Sequence, residues 1–333
     1  MKKKILFRAD GNSEIGLGHL YRLFSLVEML KDNFKFIFLT SEISALNIIP
    51  KNYQKKTIPK EITIDKEPDW INEQFDIQEY LLIVDGYQFN SSYQKRIKEK
   101  GFKLIYIDDL ASEYMFADII INHSPNISSE NFSCAANTKF ALGTKYALLR
   151  PTFLELLKKE NTLKRTDTAF VCFGGADPSD LTLKVTKALL NITQVKKINI
   201  VLGGAYVHKE IYGISQKNIK IFQNLSEKEL SEIMRDSSFA IAPASTILYE
   251  LCCIKIPILS GFYVDNQEAI YNGFADENAI FEMGNIKDFD VASFEAQLHL
   301  FFNSDFKESI NSQNKIFDKN IKERYNKLIS SIC

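Results

Sequence analysis

The 333-residue chain is poor in several residues that often announce a function. It holds five cysteines, four histidines, one tryptophan and only 14 glycines. The cysteines (Cys134, Cys172, Cys252, Cys253, Cys333) include no CxxC pair, which excludes a zinc ribbon, and their odd number argues against a disulfide framework. Three of them sit inside apolar runs, where a free thiol packs as a small hydrophobe, so a reducing compartment is expected. Charge of one sign is also missing. Lys plus Arg number 41 against 42 Asp plus Glu, a net charge of -1, and a protein that lives on nucleic-acid phosphates usually carries a basic excess. A local pocket for one or two phosphates stays open. Long apolar runs are absent too: Ile5-Leu6-Phe7 is too short for a signal peptide and no later run approaches a membrane span. The expectation is a soluble, cytoplasmic protein with no nucleic-acid and no membrane partner. No GxxxxGK[ST] occurs, so a P-loop ATPase is excluded, and the Gly16-x-Gly18 pair meets Tyr21 where a dinucleotide fingerprint needs a third glycine.

What is present is a repeated pattern. Seven of the glycines fall in three clusters, Gly11/Gly16/Gly18, Gly174/Gly175 and Gly203/Gly204, after the apolar runs KKILF, AFVCF and INIVL. Short apolar runs that end in glycine read as buried parallel strands entering tight turns. Amphipathic stretches follow the first two, at 19–30 and 180–190. Further strands are expected at 34–40, 80–86, 103–109 and 118–122, with Asp85, Asp108 and Asp109 at their ends. The second half adds KINIVL, IKIFQ, SFAIAP and IPILS. Strand, loop and helix in alternation predict α/β construction with parallel sheets. The charged stretch KKENTLKRTDT predicts a domain boundary, giving domains at 1–155 and 166–305. Residues 306–333 are expected as a C-terminal helix packed along one domain.

Three loops carry candidate chemistry. In the first, Gly16 and Gly18 lead into a helix start that favours an anion. His19 stands in that first turn, where Ser, Thr, Asp and Asn are the normal caps. Its imidazole has the titration range of a general base at neutral pH, or it simply packs against a turn. The second loop, Gly174-Gly175-Ala176-Asp177, is either a domain-entry turn or the lining of a phosphate or sugar site, with Asp180 as the cap of the next helix. In the third, Ser245 and Thr246 suit a helix N-terminus or a phosphate, and Glu250 lies one turn on, where a carboxylate can take ribose hydroxyls. Asn266 and Gln267 open another helix as caps or sugar ligands. His123, His208 and His299 are scattered and read as surface or loop residues.

Together these residues match a family. Arg8-x-Asp10 followed by Ile15-Gly16-x-Gly18-His19-x-x-Arg22 resembles the opening of the PseG-like nucleotide-sugar hydrolases. Ile107-Asp108-Asp109-Leu110 and Leu142-Gly143-x-Lys145-Tyr146-Ala147-Leu148-Leu149-Arg150-Pro151 resemble its central strand end and inter-domain passage. Phe173-Gly174-Gly175-x-Asp177, Ser245-Thr246-x-x-x-Glu250-Leu251 and Asn266-Gln267 are similar to its nucleotide-binding half. The resemblance runs over residues 4–275.

It implies two Rossmann-like domains of GT-B (MurG-like) type with a cleft between them, UDP being held by the second. The implied reaction removes UDP from UDP-2,4-diacetamido-2,4,6-trideoxy-β-L-altropyranose in pseudaminic acid biosynthesis, which serves flagellin or surface glycans. His19 would be the base that activates water. Asp10, Gly16, Gly18, Arg22, Tyr87, Gly174, Gly175, Asp177, Ser245, Thr246, Glu250, Asn266 and Gln267 would bind the UDP-sugar, with no metal and no cofactor. A monomer is the default. Two departures stand out: Pro243-Ala244 replace glycines before the Ser-Thr pair, and Asn122-His123-Ser124-Pro125-Asn126 replace the usual run after their strand. The competing expectations are a GT-B glycosyltransferase using a UDP-amino sugar, a related nonulosonate-pathway hydrolase, and a non-catalytic nucleotide-sugar sensor.

Overall fold

The structure, a computed structural model, describes residues 3–12, 15–159, 167–317 and 319–332. The chain divides into two units, Met1–Pro151 with Asn320–Cys333, and Thr152–Lys319.

The first unit opens with β1 (Lys4–Ala9), α1 (Gly18–Leu30), β2 (Phe36–Ser41), β3 (Lys55–Ile58), α2 (Glu67–Gln74) and β4 (Tyr80–Asp85). It continues with α3 (Ser91–Glu99), β5 (Leu104–Ile107), β6 (Tyr114–Met115), β7 (Ile119–Asn122), β8 (Ser133–Cys134) and β9 (Lys139–Leu142). Seven strands form one parallel sheet in the order β3-β2-β1-β4-β5-β7-β9, and β6 pairs with β8 separately. The apolar runs form the central strands because both faces of a parallel sheet are covered, and every residue of β5 and β7 is buried. The edge strands β3 and β9 escape the sequence reading. Their half-exposed patterns, in KKTI and KFAL, carry no continuous apolar run.

The second unit takes in α4 (Pro151–Leu156) from its second residue, then β10 (Thr168–Val171), α5 (Leu181–Leu190), β11 (Lys197–Leu202), β12 (Ile219–Gln223) and α6 (Glu227–Asp236). It ends with β13 (Phe239–Pro243), α7 (Thr246–Ile254), β14 (Ile258–Phe262), α8 (Asp265–Asp276), β15 (Phe281–Asn285), α9 (Val291–Phe302) and α10 (Lys307–Ile316). Its six-stranded parallel sheet runs β12-β11-β10-β13-β14-β15. In both sheets the order reverses beside the first strand, between β1 and β4 and between β10 and β13. In open α/β sheets such a switch point, at the carboxyl ends of the strands, is where ligands bind.

The tail expected as one helix is two. α10 packs on the second unit, where Phe317 holds extended backbone and stacks its ring on Tyr249 at 6.0 Å. α11 (Ile321–Ser330) belongs to the first unit. It buries Ile321, Tyr325 and Ile329, an apolar stripe along its length, and packs beside α1. Most of the expected boundary stretch at 158–168, residues 160–166, lies outside the described residues.

Candidate active site

β1 ends in Ala9, and the chain beyond it makes the first loop. Gly16 sits at φ +85, a backbone region that L side chains rarely adopt, and its N–H bonds the Asn12 carbonyl at 2.9 Å. That turn sets up α1, which starts at Gly18 with no side-chain cap and no acidic residue in its first turn. An uncapped helix start of this kind favours an anion.

Asp10 lies under this loop and is fully engaged within the protein. Its carboxylate accepts from Ser41 N at 2.7 Å, Ser44 Oγ at 2.9 Å, Thr40 Oγ1 at 3.1 Å and Gln88 Nε2 at 3.3 Å, besides Arg8 Nη2 at 2.7 Å. Burial alone would raise its pKa, but the Arg8 guanidinium and these donors pull it down to about 2. Arg8 also forks onto Glu67 through Nε and Nη2, both at 2.8 Å. The predicted substrate ligand Asp10 therefore ties the ends of β1, β2 and β4 together.

Beside it, α1 delivers His19 and Arg22 to the carboxyl ends of β4 and β5. His19 Nδ1 lies 2.8 Å from Asp85 Oδ1. Arg22 grips the same carboxylate with Nε to Oδ2 at 2.7 Å and Nη2 to Oδ1 at 2.5 Å. Its remaining nitrogen donates to Asp109 Oδ2 at 2.9 Å. Asp85 is completely buried, which opposes its charge, yet Arg22 and His19 hold its pKa below the usual carboxylate range. The partners decide the tautomer. Asp85 can only accept, so Nδ1 carries the proton and Nε2 presents its lone pair. Among the described residues no group bonds Nε2. The predicted Tyr87 packs its ring against His19 at 4.8 Å between centroids and 87° between planes, while its hydroxyl donates to Asp109 Oδ2 at 3.2 Å.

Sequence reasoning saw Asp85 only as a polar strand end, and saw His123 as a surface or loop residue. Both belong to this site. Along the edge, Asp85 pairs with Ile107 and Ile107 with Ile121, so Tyr87, Asp109 and His123 stand two residues further on in one row. His123 is buried, accepts from Leu148 N at 3.2 Å through Nδ1, and is held neutral by burial beside Arg22, its pKa pushed down to about 3. The signal in the sequence is its position one residue beyond a strand of four buried residues, IIIN.

In the second unit, Gly174 and Gly175 follow β10, with Gly174 at φ +83. Gly203 is bound to this loop by close approach: a Cβ there would stand 2.3 Å from the carbonyl oxygens of both Gly174 and Gly175. Asp177 is a helix cap, its two oxygens accepting from Leu181 N at 2.9 Å and Thr182 N at 2.8 Å. Asp180, expected as that cap, makes no capping bond and instead accepts from the Tyr206 hydroxyl at 2.5 Å. The start of α5 is thus already neutralised by its own carboxylate, and α8 carries Asp265 and Glu268 in its first turn. α7 differs. Ser245 makes no side-chain capping bond there, the first turn from Thr246 holds no acidic residue, and Glu250 is buried one turn on. Of the departures, Pro243 closes β13 and its carbonyl accepts from Ser245 N at 2.9 Å, while Ala244 N bonds Gly261 O at 2.9 Å. Gln267 is buried with Oε1 accepting from Tyr263 N at 3.1 Å, and Asn266 is exposed beside it. His208 sits in a loop, with Nε2 3.0 Å from the Asp177 carbonyl, and His299 is exposed on α9. Among the described residues no His, Cys, Asp and Glu group is placed to hold a metal ion, and no helix is long and apolar enough to cross a membrane.

No protein-family model matches the chain. Among curated proteins it is 28% identical over 288 residues to an uncharacterised protein of Methanocaldococcus jannaschii, covering 81% of this chain and 58% of that protein. It is 26% identical over 288 residues to the spore coat polysaccharide biosynthesis protein SpsG of Bacillus subtilis, covering 83% and 82%. It is 29% identical over 275 residues to the UDP-2,4-diacetamido-2,4,6-trideoxy-β-L-altropyranose hydrolase of Campylobacter jejuni, covering 80% and 94%. The chain therefore spans little more than half of the archaeal relative and most of the two bacterial ones. Among solved structures it superposes on MurG of Acinetobacter baumannii with a TM-score of 0.65 and 13% identity over the whole of both chains. The spinosyn rhamnosyltransferase SpnG gives 0.64 and 10%, covering 99% and 98%. At such identities the structures speak for the fold alone. In sequence the chain is a relative of the PseG-like nucleotide-sugar hydrolases, and its fold is the GT-B pair of Rossmann-like domains.

Proposed function

We propose that this protein is an enzyme that processes a UDP-sugar, and that it hydrolyses a UDP-linked diacetamido-trideoxy hexose at the anomeric carbon. The likeness to the Campylobacter hydrolase supports that substrate class, and pseudaminic acid biosynthesis is the setting the resemblance implies. The observation that carries the chemistry is the 2.8 Å contact between His19 Nδ1 and the buried Asp85 carboxylate. It supports a role for Nε2 as base, with Asp85 stabilising the imidazolium once formed. In the reaction, Nε2 takes a proton from water and the water oxygen bonds C1. The C1–O bond breaks, and its electron pair leaves with the diphosphate of UDP. The start of α7, with Ser245 and Thr246, suits the diphosphate because neither a side-chain cap nor an acidic first turn competes for its N–H groups. Buried Glu250 suits the ribose. No step requires a metal.

The purified chain, incubated with the UDP-sugar and a chelator, is expected to release UDP and free sugar, followed by NMR. His19→Ala and His19→Gln should both abolish release. In ¹⁸O-water the label should enter the sugar and not UDP. Label in UDP, or turnover that survives in both variants, overturns the assignment.

One observation favours a second reading, transfer to an acceptor. Ile15, Ile43, Tyr87 and Leu110 follow β1, β2, β4 and β5 and are all exposed, the most open being Ile43 at 61%. An apolar rim of this kind suits an acceptor with an apolar face. UDP binding without release of free sugar, with turnover appearing only when an acceptor is added, would select that reading.

A further inference from the structure

Charge counting around His19 leads to a residue with no role so far. Arg22 bonds two carboxylates, Asp85 and Asp109, each with side chains at most 12% exposed. With a neutral imidazole the three ionic groups sum to one negative charge. After His19 takes a proton, they sum to zero. Were Asp109 uncharged, the resting sum would be zero and proton uptake would leave one net positive charge, with Arg22 Nη2 3.2 Å from His19 Nδ1. We propose that Asp109 is a positioning residue that balances Arg22, so that Asp85 remains available to the protonated imidazole, and that it holds Tyr87 against the ring.

The groups that face the cluster do not replace it. Asp108, one residue earlier, is committed to backbone, accepting from Leu110 N at 3.1 Å and Ala111 N at 2.7 Å; burial disfavours its charge, and Arg22 opposes that only weakly. His123 offers no charge, being buried and committed to Leu148 N. Tyr106 on β5 and Tyr325 on α11 are buried phenols whose pKa burial pushes up, so both stay neutral. The remaining charged group of this sheet edge, Arg8 with Asp10 and Glu67, closes on itself. Asp109 Oδ2 receives both Arg22 Nη1 and the Tyr87 hydroxyl, and so touches the neighbours of His19 on two sides.

The role in the reaction rests on His19 being the base, but the electrostatic claim is testable without substrate. The protein, labelled with ¹⁵N-histidine, is titrated by NMR, and the His19 signal is identified by its loss in His19→Gln. Asp109→Asn should move the His19 midpoint to lower pH by about one unit, because removing a nearby negative charge disfavours the imidazolium. Asp109→Glu, which keeps the charge, should recover most of that shift. If Asp109→Asn does not fold, Asp109→Ser is read in the same way. The acid limb of kcat/KM should move in parallel with the NMR midpoint. An unchanged midpoint in the neutral variant, or an equal shift in Asp109→Glu, overturns the proposal. A wild-type protein that turns nothing over refutes the hydrolase reading while the titration still decides the charge balance.

Discussion

Asp85→Asn is the substitution that most directly probes the site, because it changes one atom of a fully buried side chain. The carboxylate accepts from two Arg22 nitrogens and faces His19 Nδ1 through two oxygens. An amide has one oxygen for these partners. If that oxygen stays with Arg22, the amide NH2 faces Nδ1 and donates to it, which drives the histidine proton to Nε2 and removes the base. General-base catalysis is worth about 10²–10⁴ in rate, and a wrong tautomer forfeits the upper part of that range, so kcat should fall on the order of 10³ with KM little changed. The fold should also weaken. Breaking a buried pair by removing one partner costs about 3–5 kcal/mol, and Asp109 still neutralises Arg22, so the lower end, about 3 kcal/mol, is expected. For a unit of this size that is on the order of 10 °C in melting temperature. The assay combines steady-state UDP release with calorimetry of the first unit's transition, at a temperature where the variant remains folded. Because Asp85 acts through His19, the double variant with His19→Ala should be no slower than His19→Ala alone. A folded Asp85→Asn protein within tenfold of wild type would refute the argument, as would additive losses in the double variant.

Three further outcomes follow from the same geometry. The unfolded chain takes a proton at His123 near pH 6.5, whereas the folded chain does so only near 3. Unfolding thus takes up a proton, and stability of the first unit should decline as pH falls from about 6.5 towards 3. Calorimetry should show that decline blunted in His123→Gln; an identical pH dependence counts against burial as the cause. Gly203→Ala places a Cβ against the Gly174 and Gly175 carbonyls and must displace that loop, so UDP affinity by calorimetry should fall at least tenfold, and unchanged affinity would remove the loop from the nucleotide site. Asp177→Ala strips two N–H groups of α5 of their acceptor and should destabilise the second unit by about 1–2 kcal/mol in chemical denaturation; no loss would show that the cap is redundant.

The legible part of this molecule was the part written locally. The buried central strands are short, mainly apolar runs, and the loops after β1, β10 and β13 are marked by glycine or by Ser-Thr, so most of the two sheets and the position of His19 could be read directly. β3, β9 and β15 are half-exposed edge strands without a continuous apolar signal, whereas β12, also at an edge, keeps three apolar residues in IKIFQ and is legible. Asp85 was seen but given no role. Its partner lies 66 residues away, and only the adjacency of β1 and β4 brings α1 across to it. The aspartates of the second loop were exchanged for a similar reason. Asp177 and Asp180 both adopt positive φ, and which of them reaches the N–H groups of α5 is set by backbone that spacing does not encode. In the tail, helical periodicity continued past Phe317, but that residue's extended backbone ends one helix, and its burial holds the turn on the second unit.

The return of α11 to the first unit has a consequence for biosynthesis. Tyr325 is wholly buried there, its hydroxyl donating to the Tyr146 carbonyl at 2.5 Å, and Arg324 Nη1 donates to the Lys145 carbonyl at 2.6 Å. The stretch they hold also donates Leu148 N to His123, in the same row as Tyr87 and Asp109. A ribosome therefore completes the second unit before the first. Helix α1, which carries His19, emerges early yet lacks its α11 packing partner until some 170 intervening residues have been made. The unit that carries His19 is in this sense closed after the other, and a change in α11 acts on the unit that holds the first-made strands.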